Sequence, residues 1–339
     1  MIITHKIAWD KCLSHQIWPT IEKGWKDSDR PIHFFWGLAG KNIPEIAECI
    51  RKNEEWWYVD VGYLTEQITR YPEPKIHNYD NTYFRICKGN IHTIRGKVGT
   101  GVRVSQLESK GIDCNFKGWL TGETNHILLC PSSPTVTHHI NGISQDEWIR
   151  QVSEEIKKYS DRPIKIRNKP RPGNEFWNTD IRDDLKDCHC VVTNMSLAAV
   201  DSIMNMVPAI THQRHVASFI TSRDISKINK PMRPGHKTIN EWIKMVADNQ
   251  FTIQEIEDGI PSRFFKNKFR WFGLLLAVTS VAILSSANIS TQWIGWSLSV
   301  AACIMWVWFG YKDKDWPRMI MELMYMFLSM RAVFNWLGI

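Results

Sequence analysis

The stretch CVVTNMSLAAVDSIMNMVPAIT (190–211) decides the fold class. Its first residues, Cys190–Thr193, form a short apolar run that predicts a buried strand. Ser196–Met206 has the spacing of a helix, and Pro208–Thr211 predicts the next strand. A strand, a helix and a strand in close succession are typical of a parallel sheet with right-handed crossovers. This segment therefore predicts an α/β protein.

The same alternation extends over most of the chain. Residues 121–262 add predicted strands and helices at His126–Cys130, Gln145–Tyr159, Pro163–Arg167 and Ile181–Asp187, and two terminal helices within Thr238–Gly259. Residues 1–120 contain another β-α-β pattern, with strands at Pro31–Trp36, Trp56–Val61 and Thr82–Cys87 and a helix at Ile43–Lys52. We therefore predict two Rossmann-like domains, 1–120 and 121–262, joined near residues 115–125.

Residues 263–339 form a third region, with the character of a membrane segment. Two uncharged runs, 271–287 and 294–311, are each near the minimum length for spanning a bilayer. Basic residues precede the first run and follow the second, so the positive-inside rule places residues 1–270 in the cytosol and 288–293 on the outer side. A third apolar stretch, 317–339, carries three charges and is predicted either to span or to lie in the interface. The alternative for the two uncharged runs is a buried soluble helix pair.

Charge and cysteine content exclude several classes of protein. The formal net charge is +7, but residues 263–339 carry eight Lys and Arg against three acids, which leaves only +2 for residues 1–262. The main body therefore lacks the basic signature of a nucleic-acid-binding domain. The eight cysteines show no metal-finger spacing, and Cys188-His189-Cys190 is predicted to pack in a strand. The N-terminus has no apolar signal core, so a cytosolic body with reduced thiols is expected.

Polar residues follow three predicted strands of the second domain, where ligands of open parallel sheets bind. Lys169 and Arg171 supply positive charge, Ser196 stands at the start of a helix whose N–H groups can face an anion, and Asp201 can bond a sugar diol. These features suit a nucleoside diphosphate, and the predicted donor site is Ser132, Ser133, Lys169, Arg171, Asn194, Ser196 and Asp201. Structural roles are the alternative for these features. Ser196 is then only a helix cap, Lys169 and Arg171 belong to a solvated basic loop, and Asp201 is an acid favoured by the helix dipole.

Residues 193–210 resemble the nucleotide-sugar-binding segment of glycosyltransferases with the GT-B fold. The matching positions are Ser196, Ala198, Ala199, Asp201 and Pro208. At two positions the residue differs from the usual one: the acid at 201 is Asp where Glu is usual, and Met206 replaces the usual Gly. Residues 164–173 are similar to the Lys-Pro-His-Pro segment of bacterial sialyltransferase-like and capsule-type enzymes, with Arg171 in place of His. Residues 33–63 resemble the first domain of glycosyltransferases attributed to bacteriophages. The resemblance covers about residues 30–260 and not the membrane region.

This resemblance implies two facing domains, a nucleotide-sugar donor on the second, an acceptor on the first, and no bound metal or other cofactor. The adjacent acids Asp183 and Asp184 are expected to be solvated rather than metal-binding. Asp60, at the end of a predicted strand, is the candidate catalytic base, with a turn-forming role as its alternative. His33 is predicted to be a buried, satisfied histidine, and it becomes a candidate base with His5 and His15 only if Asp60 is structural. Tyr58 and Tyr63 are predicted to line an acceptor pocket, with packing in the core as the alternative for Tyr58. The turn carrying Gly37 and Gly40 either approaches a ligand or is a plain turn.

The sequence thus predicts a membrane-attached glycosyltransferase. Its acceptor is expected to be a phage DNA base or a membrane or surface glycan. Two alternatives stay open: a nucleotide-sugar epimerase on the same scaffold, and a non-catalytic membrane protein that binds a nucleotide sugar or a partner.

Overall fold

The computed structural model describes residues 1–337 except 6–12, 26–29, 39–40, 65–67, 70–74, 77–81, 94–100, 123, 172, 178, 265–268, 287 and 314. Two compact units make up the chain, Met1–Arg263 and Phe264–Ile339. The strands are β1 (Ile2–His5), β2 (Ile32–Trp36), β3 (Glu55–Val61), β4 (Ile68–Thr69), β5 (Lys75–Ile76), β6 (Tyr83–Lys88), β7 (His126–Cys130), β8 (Ile164–Ile166), β9 (Cys188–Thr193), β10 (Ala209–Thr211) and β11 (Gln250–Thr252). The α-helices of the first unit are α1 (Ser14–Gly24), α2 (Asn42–Lys52), α3 (Val102–Ser109), α4 (Pro134–Asn141), α5 (Gln145–Lys157), α6 (Ile181–Leu185), α7 (Ala198–Met204), α8 (His236–Asp248), α9 (Ile253–Glu257) and α10 (Ile260–Phe264).

The first sheet has the order β1-β2-β3-β6-β11. Strands β1, β2 and β3 are parallel, whereas β6 runs antiparallel to both β3 and β11. The parallel strands follow one another across the sheet in chain order, so no reversal of strand order occurs among them. Strands β4 and β5 pair separately as a short antiparallel ribbon.

The second sheet has the order β10-β9-β7-β8, and all of its strands are parallel. The chain passes from β7 to β8 on one side and then to β9 on the other. Strand order therefore reverses between β7 and β9, which makes this pair the topological switch point where open parallel sheets bind ligands. The predicted α/β class with a parallel sheet is confirmed.

Alternating side chains explain why the second sheet is buried on both faces. Ile127 and Leu129 pack on one face against α5, whose apolar stripe includes Trp148 and Val152. Leu128 and Val191 pack on the other face, in the cluster that contains α7 and α8. Helix α5 begins where predicted, because the Ser144 hydroxyl accepts a hydrogen bond from the Glu147 amide at 3.1 Å.

Strand β11 is an element that the sequence does not predict. It lies between α8 and α9, where two helices were expected, and it extends the first sheet from a distant part of the chain. The Gln250 side chain accepts from the amides of Tyr63 and Leu64 and donates to the Leu64 carbonyl. These long-range bonds, together with burial of Phe251, stabilise as a strand a segment of only three residues.

Three α-helices lie in the described residues of the second unit, α11 (Phe269–Ser285), α12 (Gln292–Asp313) and α13 (Trp316–Leu337). Among the described residues, one stretch, Ile289–Tyr311, is long and apolar enough to cross a membrane, and Trp271–Ser285 is a shorter apolar helix. Large apolar side chains are exposed along all three helices, for example Trp271, Trp308 and Phe327. The predicted apolar runs thus form helices, and the number of spans stays a prediction.

Small and polar residues line the contacts between these helices. The Ser280 hydroxyl donates to the Gly295 carbonyl at 2.8 Å, and the Ser299 and Ser329 hydroxyls lie 2.9 Å apart. A Cβ at Gly295 would lie 2.7 Å from Leu284, so only glycine allows this approach. Close packing through Gly and Ser is typical of helices that associate in lipid.

Candidate functional site

The loops that follow β7 and β9 are hydrogen-bonded to each other at the switch point. The Asn194 side-chain oxygen accepts from the Ser132 amide at 2.9 Å, and the Ser132 hydroxyl accepts from the Met195 amide at 3.1 Å. Asn194 also donates to Thr137 and Asn141. Asn194 is fully buried and Ser132 nearly so. The structure therefore brings these two predicted site residues together, where they fix the shape of the loops.

Ser196 continues this arrangement at the start of α7. Its hydroxyl accepts from the Ala198 amide at 3.3 Å, and its own amide donates to the Thr193 hydroxyl at 3.2 Å. Helix α7 begins at Ala198 rather than at the predicted Ser196, and Ser196 is half-buried. Ser133, also half-buried, precedes α4, whose first residue is Pro134.

Two histidines, His92 and His215, hydrogen-bond to the backbone of the same loop. His92, which follows β6, has Nε2 2.9 Å from the Met195 carbonyl, and His215 has Nε2 3.0 Å from the Ser196 carbonyl. A carbonyl only accepts, so Nε2 carries the proton in both rings. The His215 Nδ1 accepts from the Ala217 amide at 3.1 Å, and the two ring centroids are 4.2 Å apart.

Both imidazoles are neutral at physiological pH. Burial, with Arg85 nearby, lowers the pKa of His215 to about 3. Burial, the His215 ring and Arg85 lower the pKa of His92 well below its usual value. With its proton on Nε2, His92 presents an Nδ1 lone pair that has no hydrogen-bond partner among the described residues. The site therefore holds one unused acceptor in a buried position.

A buried ion pair lies on the first sheet beside these histidines. The Arg85 Nη2 lies 3.2 Å from the Asp60 Oδ2, and these side chains are only 6% and 11% exposed. The same oxygen accepts from the Tyr58 hydroxyl at 2.7 Å, and Oδ1 accepts from the Val61 amide at 2.8 Å. The Arg85 guanidinium also lies over the Tyr58 and Tyr63 rings, at 5.3 and 5.4 Å from their centroids. Its Nε and Nη1 have no partner in the part of the chain that the structure describes.

Asp60 thus occupies the predicted end of β3, and its two oxygens accept at least three hydrogen bonds. Its role as a base stays a prediction. Tyr58 belongs to the buried core, and the Tyr63 hydroxyl accepts from the Thr93 amide at 2.9 Å. Gly37 has a φ of +59° in the turn after β2, which explains the glycine by conformation alone. Gly40 lies outside the described residues.

A second buried ion pair follows β8. Arg167 pairs with Asp184 and donates to the Thr179 carbonyl at 2.9 Å, and Lys165 pairs with the same carboxylate. The prediction that Asp183 and Asp184 are both solvated is therefore wrong for Asp184, which is buried. Asp183 is exposed beside Lys186, as expected.

Asp201 is half-buried on α7 and interacts electrostatically with Arg167. Burial and the Asp180 carboxylate raise the pKa of Asp201 to about 7, and Arg167 and Arg182 oppose the rise. No hydrogen bond or ion pair reaches this carboxyl group from the described residues. Asp201 can therefore both donate and accept near neutral pH, and such perturbed groups concentrate at functional sites.

The predicted cations lie in the loop after β8. The Asn174 side-chain Nδ2 donates to the Lys169 carbonyl at 3.0 Å, and the Arg171 backbone amide donates to the Asn174 Oδ1 at 3.2 Å. Asn174 thereby folds the loop, and both cationic side chains are exposed.

A cleft of about 600 Å³ lies at the opposite, amino-terminal edge of this sheet, between Tyr159–Pro163 and Asn229, and no predicted residue lines it.

The two histidines that the sequence predicts to be packed in the protein both have protein partners. His189 lies 2.8 Å from the Thr124 hydroxyl and 2.9 Å from the Ile228 carbonyl, in agreement with the predicted packing of Cys188–Cys190. His33 is buried as predicted and its Nδ1 is hydrogen-bonded to His5 at 2.9 Å, whereas its Nε2 has no hydrogen bond from the described residues.

Sequence reasoning missed Arg85, His92 and His215. Arg85 has a signal in the sequence, since a charge inside the apolar strand YFRICK needs a buried partner. His92 and His215 have none, because the carbonyls that they bind are distant along the chain. Comparison with known proteins adds no assignment: no family model matches the chain, and no curated protein matches it.

Proposed function

We propose that the protein is a membrane-attached glycosyltransferase of the GT-B type, with two Rossmann-like domains that face each other. One observation carries the proposal: Asp201, with an unpartnered carboxyl group and a pKa near neutrality, lies on the helix after β9, at the switch point of a parallel sheet. Retaining a half-buried carboxyl group that no described residue binds reduces stability, and a ligand with hydroxyl groups explains why it is kept.

The donor in this proposal is a nucleotide sugar bound along the carboxyl edge of the second sheet. Asp201 bonds a sugar diol, and the rigid Asn194–Ser196 loop forms the floor. Lys169 and Arg171, exposed in the neighbouring loop, neutralise the diphosphate. Their fixed positive charge supplies the neutralisation that a metal gives in other transferases.

The acceptor lies on the side of the first sheet. On this side the Nε and Nη1 of Arg85 and the Nδ1 of His92 are buried polar atoms without a hydrogen-bond partner among the described residues. Asp60 stays the proposed base, and because its oxygens already accept from Tyr58, Arg85 and the Val61 amide, one of these bonds has to open first. The small net charge of residues 1–262 favours a membrane or surface glycan over DNA.

The membrane attachment in this proposal rests on Ile289–Tyr311 and on the basic residues that flank the two apolar runs. By the positive-inside rule, the proposal has residues 1–270 in the cytosol and the 288–293 turn outside. In intact cells, an impermeant maleimide should label a cysteine placed at Ser290 and spare one placed at Lys266. The opposite pattern would reverse the proposed sidedness.

Turnover of a panel of nucleotide sugars, with and without glycan or DNA acceptors, tests the activity. The proposal predicts release of nucleoside diphosphate that depends on an acceptor, and a sugar joined to that acceptor. Release of an isomerised nucleotide sugar without acceptor would indicate an epimerase. Binding of a nucleotide sugar without any product would indicate a non-catalytic protein.

A further inference from the structure

Three different metal-ligand side chains meet at the amino end of the first sheet. His33 on β2, Cys49 on α2 and Glu54 just before β3 place one ligand atom each within 4.8 Å of one another. Glu54 precedes Asp60 by six residues along an extended strand, so the cluster is about 20 Å from the carboxyl-end residues described above. It is therefore separate from the proposed donor and acceptor sites.

Backbone geometry builds this cluster. Helix α2 ends at Lys52 and is capped by Asn53, whose φ of 55° is left-handed and turns the chain back. The Glu54 amide then donates to the Cys49 carbonyl at 2.9 Å, which sets Glu54 beside the thiol. His33 lies on the neighbouring strand, where its backbone pairs with Trp56 at the start of β3.

His33 has the hydrogen bonding of a ligating histidine. It is 9% exposed, and its Nδ1 lies 2.9 Å from the His5 Nε2. Its Nε2 lies 3.1 Å from a Glu54 oxygen, yet the geometry is not that of a hydrogen bond, and Nε2 has no hydrogen-bond partner among the described residues. When Nδ1–H donates to His5, the Nε2 lone pair is directed away from that bond and is free to coordinate. Metal-binding histidines are typically held in this way by a second group.

We propose that His33, Cys49 and Glu54 bind a divalent transition metal of the Zn²⁺ class. One imidazole, one thiolate and one carboxylate suit a borderline ion of this kind. In a tetrahedral zinc site the nitrogen and oxygen ligands lie about 3.3 Å apart, close to the 3.1 Å found here between His33 and Glu54. The ligand atoms lie within 4.8 Å of one another, and sulfur and nitrogen ligands of a tetrahedral zinc site lie about 3.6 Å apart, so the Cys49 sulfur has to move by about 1.4 Å at most.

The bound ion would tie α2 to β2 and to the start of β3, with water at its fourth position. Cys49 is 2% exposed and not disulfide-bonded, and the half-exposed Glu54 leaves a route for the ion from solvent. On binding, the Cys49 thiol gives its proton to solvent and its sulfur forms the bond to the metal. Affinity should therefore rise with pH.

Titration of the detergent-solubilised full-length chain with Co²⁺, after treatment with a chelator, tests the site. We expect one Co²⁺ per chain, a thiolate-to-cobalt absorption band, and displacement by Zn²⁺. Cys49→Ser should abolish the band, and Glu54→Gln should weaken binding tenfold or more. The matched control is Cys114→Ser, which removes another buried free thiol and should change neither property.

His5 acts as a positioning residue in this proposal. His5→Ala should weaken binding about 10–100-fold while the thiolate band is retained at saturation. Absence of Co²⁺ binding by the wild-type chain would overturn the proposal, as would equal binding and an unchanged band in Cys49→Ser. If circular dichroism shows that Cys49→Ser is unfolded, the half-exposed Glu54→Gln decides, and an unchanged affinity there would also overturn it.

Discussion

The Asp60–Arg85 pair offers a sharp test of how the first sheet is stabilised. Its charged atoms are 3.2 Å apart and both side chains are almost fully buried. With an effective dielectric constant of about 20, their attraction is about 5 kcal/mol. Asp60→Asn preserves the shape of the side chain but leaves the Arg85 charge buried without a counter-charge. We expect a loss of about 3–5 kcal/mol in the free energy of unfolding.

The assay is urea unfolding of the full-length chain in mild detergent, followed by circular dichroism. Asp60→Asn combined with Arg85→Met should lose less than the sum of the single losses, by more than about 1.5 kcal/mol, because the double variant leaves no unpaired charge. Asp113→Asn, which removes a carboxylate from the exposed pair with Lys117, is the control and should change stability by less than about 0.5 kcal/mol. If Asp60→Asn resembles this control, the pair does not stabilise the sheet and the reasoning fails.

Two further predictions concern the loop at the switch point and the basic loop beside it. Because the folded pKa of His215 is about 3 and the reference value is 6.5, its contribution to stability is present above pH 6.5 and is lost as the pH falls from 6.5 towards 3. His215→Gln should therefore reduce the acid loss of stability, by about 1.4 kcal/mol per pH unit, in urea unfolding at a series of pH values, and an unchanged slope would contradict the reasoning. In titrations with nucleoside diphosphates, Lys169→Ala and Arg171→Ala should each weaken binding about tenfold or more. Ser196→Ala should cost only about 1 kcal/mol of binding, since backbone donors remain, and unchanged affinity in both cation variants would place the diphosphate elsewhere.

The second sheet could be predicted from the sequence because its strands are continuous apolar runs. Cys190–Thr193 and His126–Cys130 fall within strands that the structure contains, and α5 begins at the predicted Gln145. Burial on both faces leaves such strands few alternatives. The first sheet was harder, since β11 depends on bonds from Gln250 to residues nearly two hundred positions away.

The candidate site shows the same limit. Ser132 and Asn194 follow neighbouring strands, so their proximity could be predicted from topology. The hydrogen bonds of His92 and His215 to the Met195 and Ser196 carbonyls could not be predicted, because side-chain bonds to distant backbone atoms produce no recognisable residue spacing in the sequence. Asp184 was misjudged for a related reason: it lies on α6 and is buried against Arg167, which follows β8.

The affinity of the full-length chain for nucleotide sugars, compared with that of Asp201→Asn, tests the central proposal most directly. Isothermal titration with uridine, guanosine, cytidine and adenosine diphosphate sugars should find one that binds, and Asp201→Asn should weaken it about tenfold or more while sparing the bare diphosphate, because only the contact with the sugar diol is lost. Asp113→Asn should bind like the wild type. If none of the four classes binds, or if Asp201→Asn binds the sugar donor as tightly as the wild type does, the donor site is not at the carboxyl edge of the second sheet.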